Sequence, residues 1–332
     1  MPDAAEIAAD PAWLPHRIDV PARQVEFIRV PRATLAERGF LADREPAPGD
    51  RTTFGWDDVA AMQPDEGALH FVFHTAFCRS TLLVRALDAP GVVAGLNEPG
   101  IIASLVNAGE AAAPLLGPVL ALLARPHVPG ETVVVKPTNH ANMLMPALLR
   151  VRPGARAVLM TNDLPVFLHS VARKGLMGRH WGRKLFLELQ GYAGMDFGMD
   201  GRETFAMTDM QAAGLAWLLN QRYLALHLGG HMAGIDPQRL RLLDGDRFDA
   251  ARENTLAAVF AHFGLGAEPG LAATLASGAV FAQHAKLGGA FAGDEAAGND
   301  PRLEEEIAQV GQWVALIARQ AGLDLPLVQT LA

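Results

Sequence analysis

The stretch HFVFHTAFCRSTLLVRALD (70–88) contains the residues with the clearest capacity for chemistry. An apolar run is followed by a short loop and then by apolar residues at helical spacing. The start of a helix presents free backbone N–H groups and the positive end of the helix dipole, which together favour an anion. Arg79 would add a permanently charged planar donor, and Ser80 and Thr81 would add hydroxyl groups. The pattern predicts a site for a phosphorylated ligand in this loop, Cys78 included.

The loop lacks the glycines of a nucleotide P-loop. Against the pattern G-x-x-x-x-G-K-[ST], Phe73 and Cys78 occupy the glycine positions, whereas the pair Arg79-Ser80 stands in place of Lys-Ser. The alternative interpretation is an ordinary strand-to-helix turn in which Ser80 caps the helix. His74, at the loop entrance, is interpreted as a structural turn residue.

Three candidate catalytic residues follow other apolar runs. Glu98 comes after VVAGL (92–96) at the start of a helix, where it is either a general base or a first-turn carboxylate. Lys136 ends the run ETVVVK (131–136), where a lysine is either a functional cation at the carboxyl edge of the sheet or only a solvated charge. His140 is the alternative base, because a neutral imidazole is well suited to proton transfer near pH 7.

The elements that must position these residues alternate between strand and helix from residue 68 to residue 174. Apolar runs alternate with segments of helical spacing, which is typical of βαβ units and a parallel sheet. Ligands of such sheets bind at the carboxyl ends of the strands. The segments just after each strand are therefore expected to meet: 74–81, 97–98, 136–140 and 161–163.

The flanking parts of the chain carry weaker patterns. Residues 1–66 are rich in Pro, Asp and Arg, and short apolar pieces such as VEFIRV (25–30) predict an irregular lead-in with one or two strands. Residues 176–332 are predicted to be mostly helical, with a last strand within 239–248. No internal repeat or low-complexity linker divides the chain, so residues 1–332 are interpreted as a single α/β domain.

Bulk properties exclude several classes of protein. The net charge of −8 argues against a general nucleic-acid or anionic-membrane surface. The one cysteine, Cys78, excludes a disulfide framework and favours a reducing compartment, so a cytoplasmic protein is expected. The N-terminus lacks the pattern of a signal peptide, and the longest apolar stretch (114–124) is too short to span a bilayer. His227 and His231 have i, i+4 spacing, but Gly229-Gly230 interrupt it, and no metal site is predicted.

The residues 77–98 resemble the donor-binding loop of sulfotransferases that use 3′-phosphoadenosine-5′-phosphosulfate (PAPS). The likeness is greatest to tyrosylprotein sulfotransferases, whose loop reads P-R-S-G-T-T-L and leads to an L-D pair and a later acidic residue. In FCRSTLLVRALD, Arg79 replaces the family's loop glycine and Phe77 replaces its basic loop residue. The residues kept are Ser80, Thr81, Leu82, the pair Leu87-Asp88 and, further on, Glu98.

A second block resembles the family's 3′-phosphate segment. In VLMTNDLPVFLHSVARKG (158–175), Ser170 matches the family's serine and Lys174 matches a basic residue four positions later, with Arg173 beside it. The position of the family's arginine carries Asn162. A third match is QHAKLGG, which contains Lys286 and resembles a late basic loop that closes over the nucleotide.

This resemblance implies a three-layer, P-loop-type α/β fold with a central parallel sheet flanked by helices. It implies PAPS as co-substrate, adenosine 3′,5′-bisphosphate (PAP) as product, and sulfuryl transfer to a hydroxyl of a small molecule or peptide, without a metal. Glu98 is implied as the base, and Lys136 and Arg79 as stabilising cations; His140 lies where histidine-base sulfotransferases have a K-T-H segment. The residues implied in binding the co-substrate are Cys78, Arg79, Ser80, Thr81, Asn162, Ser170, Arg173, Lys174 and Lys286.

Two other functions remain open on the sequence. A nucleotide-dependent phosphotransferase would need a carboxylate for Mg²⁺ at a strand end, where Asp163 or Asp244 would serve. A binding or adaptor protein that keeps the fold and has lost the donor site is favoured by Phe77 and Asn162, which replace basic residues of the family.

Overall fold

Eight strands form two sheets in the part of the chain described by the structure, a computed structural model that covers residues 2–35, 37, 39–231, 234–282 and 300–331. Three strands form an antiparallel sheet and five form a parallel one. The strands are β1 (Trp13–Asp19), β2 (Gln24–Arg29), β3 (Arg51–Gly55), β4 (Leu69–His74), β5 (Val93–Asn97), β6 (Thr132–Lys136), β7 (Ala157–Thr161) and β8 (Leu240–Asp244).

The helices account for most of the remaining described chain. They are α1 (Ala4–Ala9), α2 (Trp56–Ala61), α3 (Ser80–Leu87), α4 (Gly100–Ala108), α5 (Leu116–Leu123), α6 (Met145–Val151), α7 (Leu164–Arg173), α8 (Gly175–Gln190), α9 (Gly201–Ala206), α10 (Asp209–Leu228), α11 (Gly245–Ala250), α12 (Arg252–Phe263), α13 (Leu271–Ala276) and α14 (Pro301–Gln320).

The parallel sheet has the strand order β5-β6-β4-β7-β8. From the central strand β4 the chain runs to β5 and β6 on one side, then crosses to β7 and β8 on the other. The order therefore reverses at β4, and the crevice at such a reversal is where open parallel sheets bind ligands. The register places Asn97 beside Lys136 and Thr161 beside Asp244, so the loops after these strands share one edge.

Helices cover both faces of this sheet. Phe71 and Phe73 of β4 belong to the core that includes α7 and α10, whereas Val72 belongs to the core that includes α3 and α12. Successive strand residues point to opposite faces, so a strand buried on both sides needs apolar residues at nearly every position. The continuous apolar runs of the sequence follow from this burial. The prediction of an α/β fold with a central parallel sheet flanked by helices is confirmed.

The N-terminal segment is more regular than its sequence indicated. It contains three strands and two helices where one or two strands were expected, and VEFIRV falls in β2. Val25 and Phe27 are fully buried, so tertiary packing stabilises a sheet that composition alone did not favour. Arg125 fastens the segment to the main core: its buried guanidinium donates to the backbone oxygens of Ile7 and Trp13, and burial lowers its pKa to about 10.

One apolar stretch is longer in the structure than the sequence suggested. Gly100–Leu123, which comprises α4, a 3₁₀ segment and α5, is long and apolar enough by length and composition to cross a membrane. Ile101, Ile102 and Leu120 of this stretch are nevertheless fully buried in the core of the domain. The expectation of a chain without a membrane span stays a prediction.

Candidate active site

The loop between β4 and α3 has an unusual backbone. Ala76, Phe77 and Arg79 have φ angles of 71°, 55° and 61°, in the left-handed region that glycine ordinarily occupies. Each such residue costs on the order of 1–3 kcal/mol, and strain of this kind is concentrated at ligand sites. The loop thus adopts a strained shape that glycine would adopt more readily, and the surrounding structure has to hold it there.

The segment after β7 and the start of α11 brace this loop. The Asn162 side-chain amide, after β7, donates to the Phe77 backbone oxygen (3.2 Å), and the Asn162 backbone oxygen accepts from the Trp217 indole (2.8 Å). At Gly245, the first residue of α11, an added Cβ would lie 2.4 Å from the Cys78 oxygen. These contacts hold the loop, and they give Asn162 a structural role at the position where the resemblance implied a phosphate ligand.

The start of α3 contains a buried hydroxyl with no hydrogen bond. Thr81 is 3% exposed, and its Oγ1 has no partner within the described part of the chain. A buried polar atom without a partner costs free energy, which a ligand oxygen at the helix start would relieve. Ser80 is also buried, whereas the Cys78 thiol faces the Met160 oxygen at 3.5 Å, and burial raises the pKa of that thiol. Only the backbone of Cys78 is therefore suited to contact an anion.

Arg79 points away from the helix start. Its guanidinium lies 3.3 Å from Asp246 and 3.3 Å from Asp249, both on α11. These two carboxylates neutralise the cation that the sequence offered to the anion. Arg79 can bind a phosphate or sulfate only if its side chain leaves Asp246 and Asp249. That role therefore stays a prediction.

Glu98 and Lys136 form an ion pair at the carboxyl edge of β5 and β6. The Lys136 side chain is 1% exposed, and its ammonium lies 5.4 Å from the centre of the Phe40 ring. Burial lowers the pKa of Lys136, and the neighbouring carboxylate partly opposes this effect. Glu98 itself has φ 49°, a second strained position at the same sheet edge. The sequence predicted both residues, and the structure brings them into direct contact.

His74 lies between this pair and the loop. Its Nδ1 accepts the Ala76 N–H at 3.2 Å, and its Nε2 is 3.1 Å from the Pro137 oxygen and 3.8 Å from a Glu98 carboxylate oxygen. The ring is 5% exposed. Sequence reasoning treated His74 as a turn residue. Its place at the carboxyl end of β4, just before the loop, is the sequence signal that could have pointed to the site.

His140 is engaged elsewhere. It lies in a 3₁₀ segment (Asn139–Leu144), where Nδ1 contacts the Glu188 carboxylate and Nε2 lies 3.2 Å from the Asn107 side-chain oxygen. Both ring nitrogens thus face residues of α4 and α8 and not the Glu98–Lys136 pair. The structure brings Glu98 together with Lys136 and keeps His140 in a separate histidine–carboxylate pair.

The residues predicted for the 3′-phosphate lie on α7 and just after it. The Ser170 hydroxyl donates to the Val166 oxygen (2.9 Å) and accepts from the Arg173 guanidinium (3.0 Å). Lys174 places its ammonium 5.8 Å from the centre of the Phe77 ring, which itself packs edge-on against Trp181. Lys174 thus brings positive charge next to the loop, and Arg173 places its guanidinium beside Ser170.

The remaining predicted residues are Lys286 and the carboxylates considered for Mg²⁺, Asp163 and Asp244. Lys286 lies outside the described residues. Asp163, Asp244 and Asp246 are close enough for burial and mutual repulsion to raise the pKa of Asp163, yet the Asp244 carboxylate accepts from the N–H groups that open α11. Within the described ranges no group of three or more His, Cys, Asp or Glu side chains is arranged to hold a metal ion.

Comparison with known proteins adds little to this geometry. No family model and no curated protein matches the sequence. Among solved structures the chain is similar to a sulfotransferase domain from the curacin biosynthetic pathway, with 13% identity and a TM-score of 0.39 over 80% of this chain and 100% of that one. A likeness of this strength carries no functional conclusion, so the function has to be argued from the side chains.

Proposed function

We propose that the protein is a sulfotransferase, which takes a sulfuryl group from PAPS and transfers it to a hydroxyl of a small molecule or peptide. The observation that carries the proposal is the unpaired, buried Thr81 hydroxyl at the start of α3, beneath a loop held in a strained left-handed shape. A phosphate or sulfate oxygen at this helix start would satisfy both the hydroxyl and the free backbone N–H groups.

The available side chains fit the two ends of the donor unequally. The 5′ end would meet Thr81 and the backbone of the loop, with Lys136 on the adjoining strand. The 3′ end would meet the Ser170–Arg173 pair and Lys174, where Arg173 supplies the guanidinium absent from position 162. In this proposal Asn162 supports the loop and does not bind the 3′-phosphate, which is the role that the resemblance implied.

The residues would divide the transfer between them. The Glu98 carboxylate takes the proton of the acceptor hydroxyl as the new oxygen–sulfur bond forms, and the bond from sulfur to the 5′-phosphate oxygen breaks. Lys136 donates to that oxygen as negative charge develops, so PAP leaves as a stabilised anion. The present ion pair holds the base and the cation at one edge of the sheet before either has a substrate partner.

Thr81→Val tests the proposal with two readouts of opposite sign. Removing a buried hydroxyl without a partner should stabilise the ligand-free protein by about 1 kcal/mol. The same change should weaken PAP binding by about tenfold, because a hydrogen bond to a charged ligand is lost. Urea unfolding and calorimetric titration measure the two effects. Thr255→Val, a buried threonine on α12, is the matched control and should leave PAP binding unchanged.

Titration of the wild type with PAP, ATP–Mg²⁺ and AMP separates this function from its alternatives. Micromolar binding selective for PAP supports the proposal and justifies an acceptor screen with labelled PAPS. Selective binding of ATP–Mg²⁺ would instead favour a phosphotransferase that uses Asp163 or Asp244. Binding of no adenosine phosphate would overturn the proposal in favour of an adaptor protein.

A reducing cytoplasm stays the predicted location of the protein.

A further inference from the structure

The side chain of His74 joins two parts of the site that the sequence treated separately. Through Nδ1 it accepts the N–H of Ala76, the first left-handed residue of the loop, at 3.2 Å. Through Nε2 it reaches the Pro137 oxygen at 3.1 Å and lies 3.8 Å from the Glu98 carboxylate. One buried ring therefore lies against both the loop between β4 and α3 (residues 75–79, the anion loop) and Glu98 of the ion pair.

These contacts determine the tautomer of the ring. Ala76 N–H is a donor, so Nδ1 must carry a lone pair. The proton of the neutral ring is then on Nε2, which donates to the Pro137 oxygen, while the Glu98 carboxylate at 3.8 Å is close enough for electrostatic attraction to that N–H. The ring N–H therefore faces Glu98 Oε1, the same carboxylate oxygen that Lys136 contacts.

The backbone of His74 is fixed as well. The Asn142 side-chain amide donates to the His74 backbone oxygen (2.9 Å), and the Tyr223 hydroxyl donates to the Asn142 backbone oxygen (2.9 Å). His74 is thereby tied to α10 through buried hydrogen bonds, and the ring has little freedom to turn.

We propose that His74 is a positioning residue that couples the anion loop to the Glu98–Lys136 pair. The proposal rests on the proposed sulfotransferase function for its activity readout and on hydrogen-bond geometry for the rest. Nδ1 would maintain the strained loop in the shape that binds the donor. Nε2–H, 3.8 Å from Glu98 Oε1, would attract the carboxylate towards the position in which it accepts the acceptor proton.

Two substitutions separate these tasks. The side-chain oxygen of His74→Asn lies near the position of Nδ1 and can accept the Ala76 N–H, but the side chain does not reach Glu98. The amide of His74→Gln extends to the position of Nε2 and loses the contact with Ala76. We expect His74→Asn to keep the PAP Kd within about twofold and to lower kcat by about tenfold. We expect His74→Gln to weaken PAP binding by about tenfold.

His70→Asn is the matched control, because His70 lies on the same strand and also accepts a backbone N–H through Nδ1, from Arg156 at 3.0 Å. It lies at the opposite end of β4, so its replacement should leave PAP binding and kcat unchanged. ¹⁵N chemical shifts of the imidazole nitrogens give a readout that needs no activity: we expect the Nε2–H tautomer for His74.

The outcomes distinguish failure of this inference from failure of the proposed function. An Nδ1–H tautomer, or equal effects of Asn and Gln on PAP binding, would overturn the role of His74 whatever the enzyme does. If wild-type protein binds no PAP, the proposed function fails, and the tautomer together with hydrogen exchange at the Ala76 amide still decides the inference. Protection retained in His74→Asn and lost in His74→Gln would support it.

Discussion

A buried lysine is stable only with a partner, and Lys136 has one in Glu98. Taking an ammonium out of water costs several kcal/mol, which an opposite charge in good geometry offsets. The strained backbone at Glu98, with φ 49°, is consistent with a residue held where its carboxylate meets the lysine. The pair is therefore expected to be costly for stability and retained for its chemistry.

The first prediction concerns the stability of this pair. Glu98→Gln leaves the Lys136 ammonium buried without a counter-charge, so it should lower the free energy of unfolding by about 3 kcal/mol. Because Glu98 raises the pKa of Lys136, its removal should lower that pKa further. Urea unfolding at pH 7 measures the stability, and the double variant Glu98→Gln with Lys136→Met should recover most of the loss. A double variant no more stable than the single one would contradict the argument.

The sequence indicated residue types at this site better than their contacts. Glu98 and Lys136 were found because both follow strands of a parallel sheet, which obliges them to share an edge. Arg79 follows the same rule, but its direction depends on Asp246 and Asp249, which lie more than 160 residues further along the chain. His74 was underestimated because its contact with Glu98 depends on the strand order, which the sequence did not specify.

At the scale of elements, the loop depends on the close approach of α11. Gly245 opens that helix against the Cys78 oxygen, where a Cβ would lie at 2.4 Å, so the loop or the helix would have to move. Asp244, just before it, caps the helix, and Asp246, just after it, contacts Arg79. Three successive residues thus connect β8 to the anion loop.

The second prediction is that Gly245→Ala weakens PAP binding by at least about tenfold, because displacement of the loop removes several hydrogen bonds to the ligand. Calorimetry measures this effect. Gly201→Ala is a close control: Gly201 is also the first residue of a six-residue helix with an aspartate cap, and no atom lies within 4 Å of its added Cβ. Equal binding by the two variants would show that the contact of α11 does not shape the loop.

The third prediction concerns the charge of Arg79. Asp246→Asn removes one of the two carboxylates that hold the guanidinium, so Arg79 should turn to a bound anion more readily and PAP should bind about tenfold more tightly. Asp57→Asn, which removes the same charge from the distant Arg23–Asp57 ion pair, is the control for net charge. Unchanged affinity in Asp246→Asn would mean that Arg79 is a structural residue and not a ligand of the donor.

At the scale of the whole molecule, the alternation of strands and helices was enough to predict the parallel sheet. The order of its strands was not, because every strand is a similar run of buried apolar residues and any of them would fit the centre. The N-terminal sheet was underestimated for a different reason. Its strands are stabilised by distant groups such as Arg125, whose guanidinium fastens α1 and β1 to the core.

Burial of histidines across the molecule leads to the last prediction, which concerns acid. Desolvation lowers the pKa of His16, His70, His127, His227 and His262, and it lowers that of His70 to about 4 from an ordinary value of 6.5. Between these two values the unfolded chain binds more protons than the folded one. The contribution of these neutral histidines to the free energy of unfolding is therefore fully present above pH 6.5. It is lost as the pH falls towards 4. His70 alone should account for about 3 kcal/mol of this loss.

The free energy of unfolding measured in urea from pH 8 to pH 4.5 tests the argument. His70→Asn should be less stable than wild type at pH 8 but should show a shallower decline below pH 6.5, since one titrating group has been removed. Phe263→Leu removes the ring stacked on His70 at 4.7 Å and keeps the histidine, so it should lose stability at pH 8 and retain a decline in acid. A decline as steep in His70→Asn as in wild type would mean that the acid sensitivity arises from other groups. Such a result would redirect attention to His16, His127, His227 and His262, whose pKa values are lowered by the same loss of water.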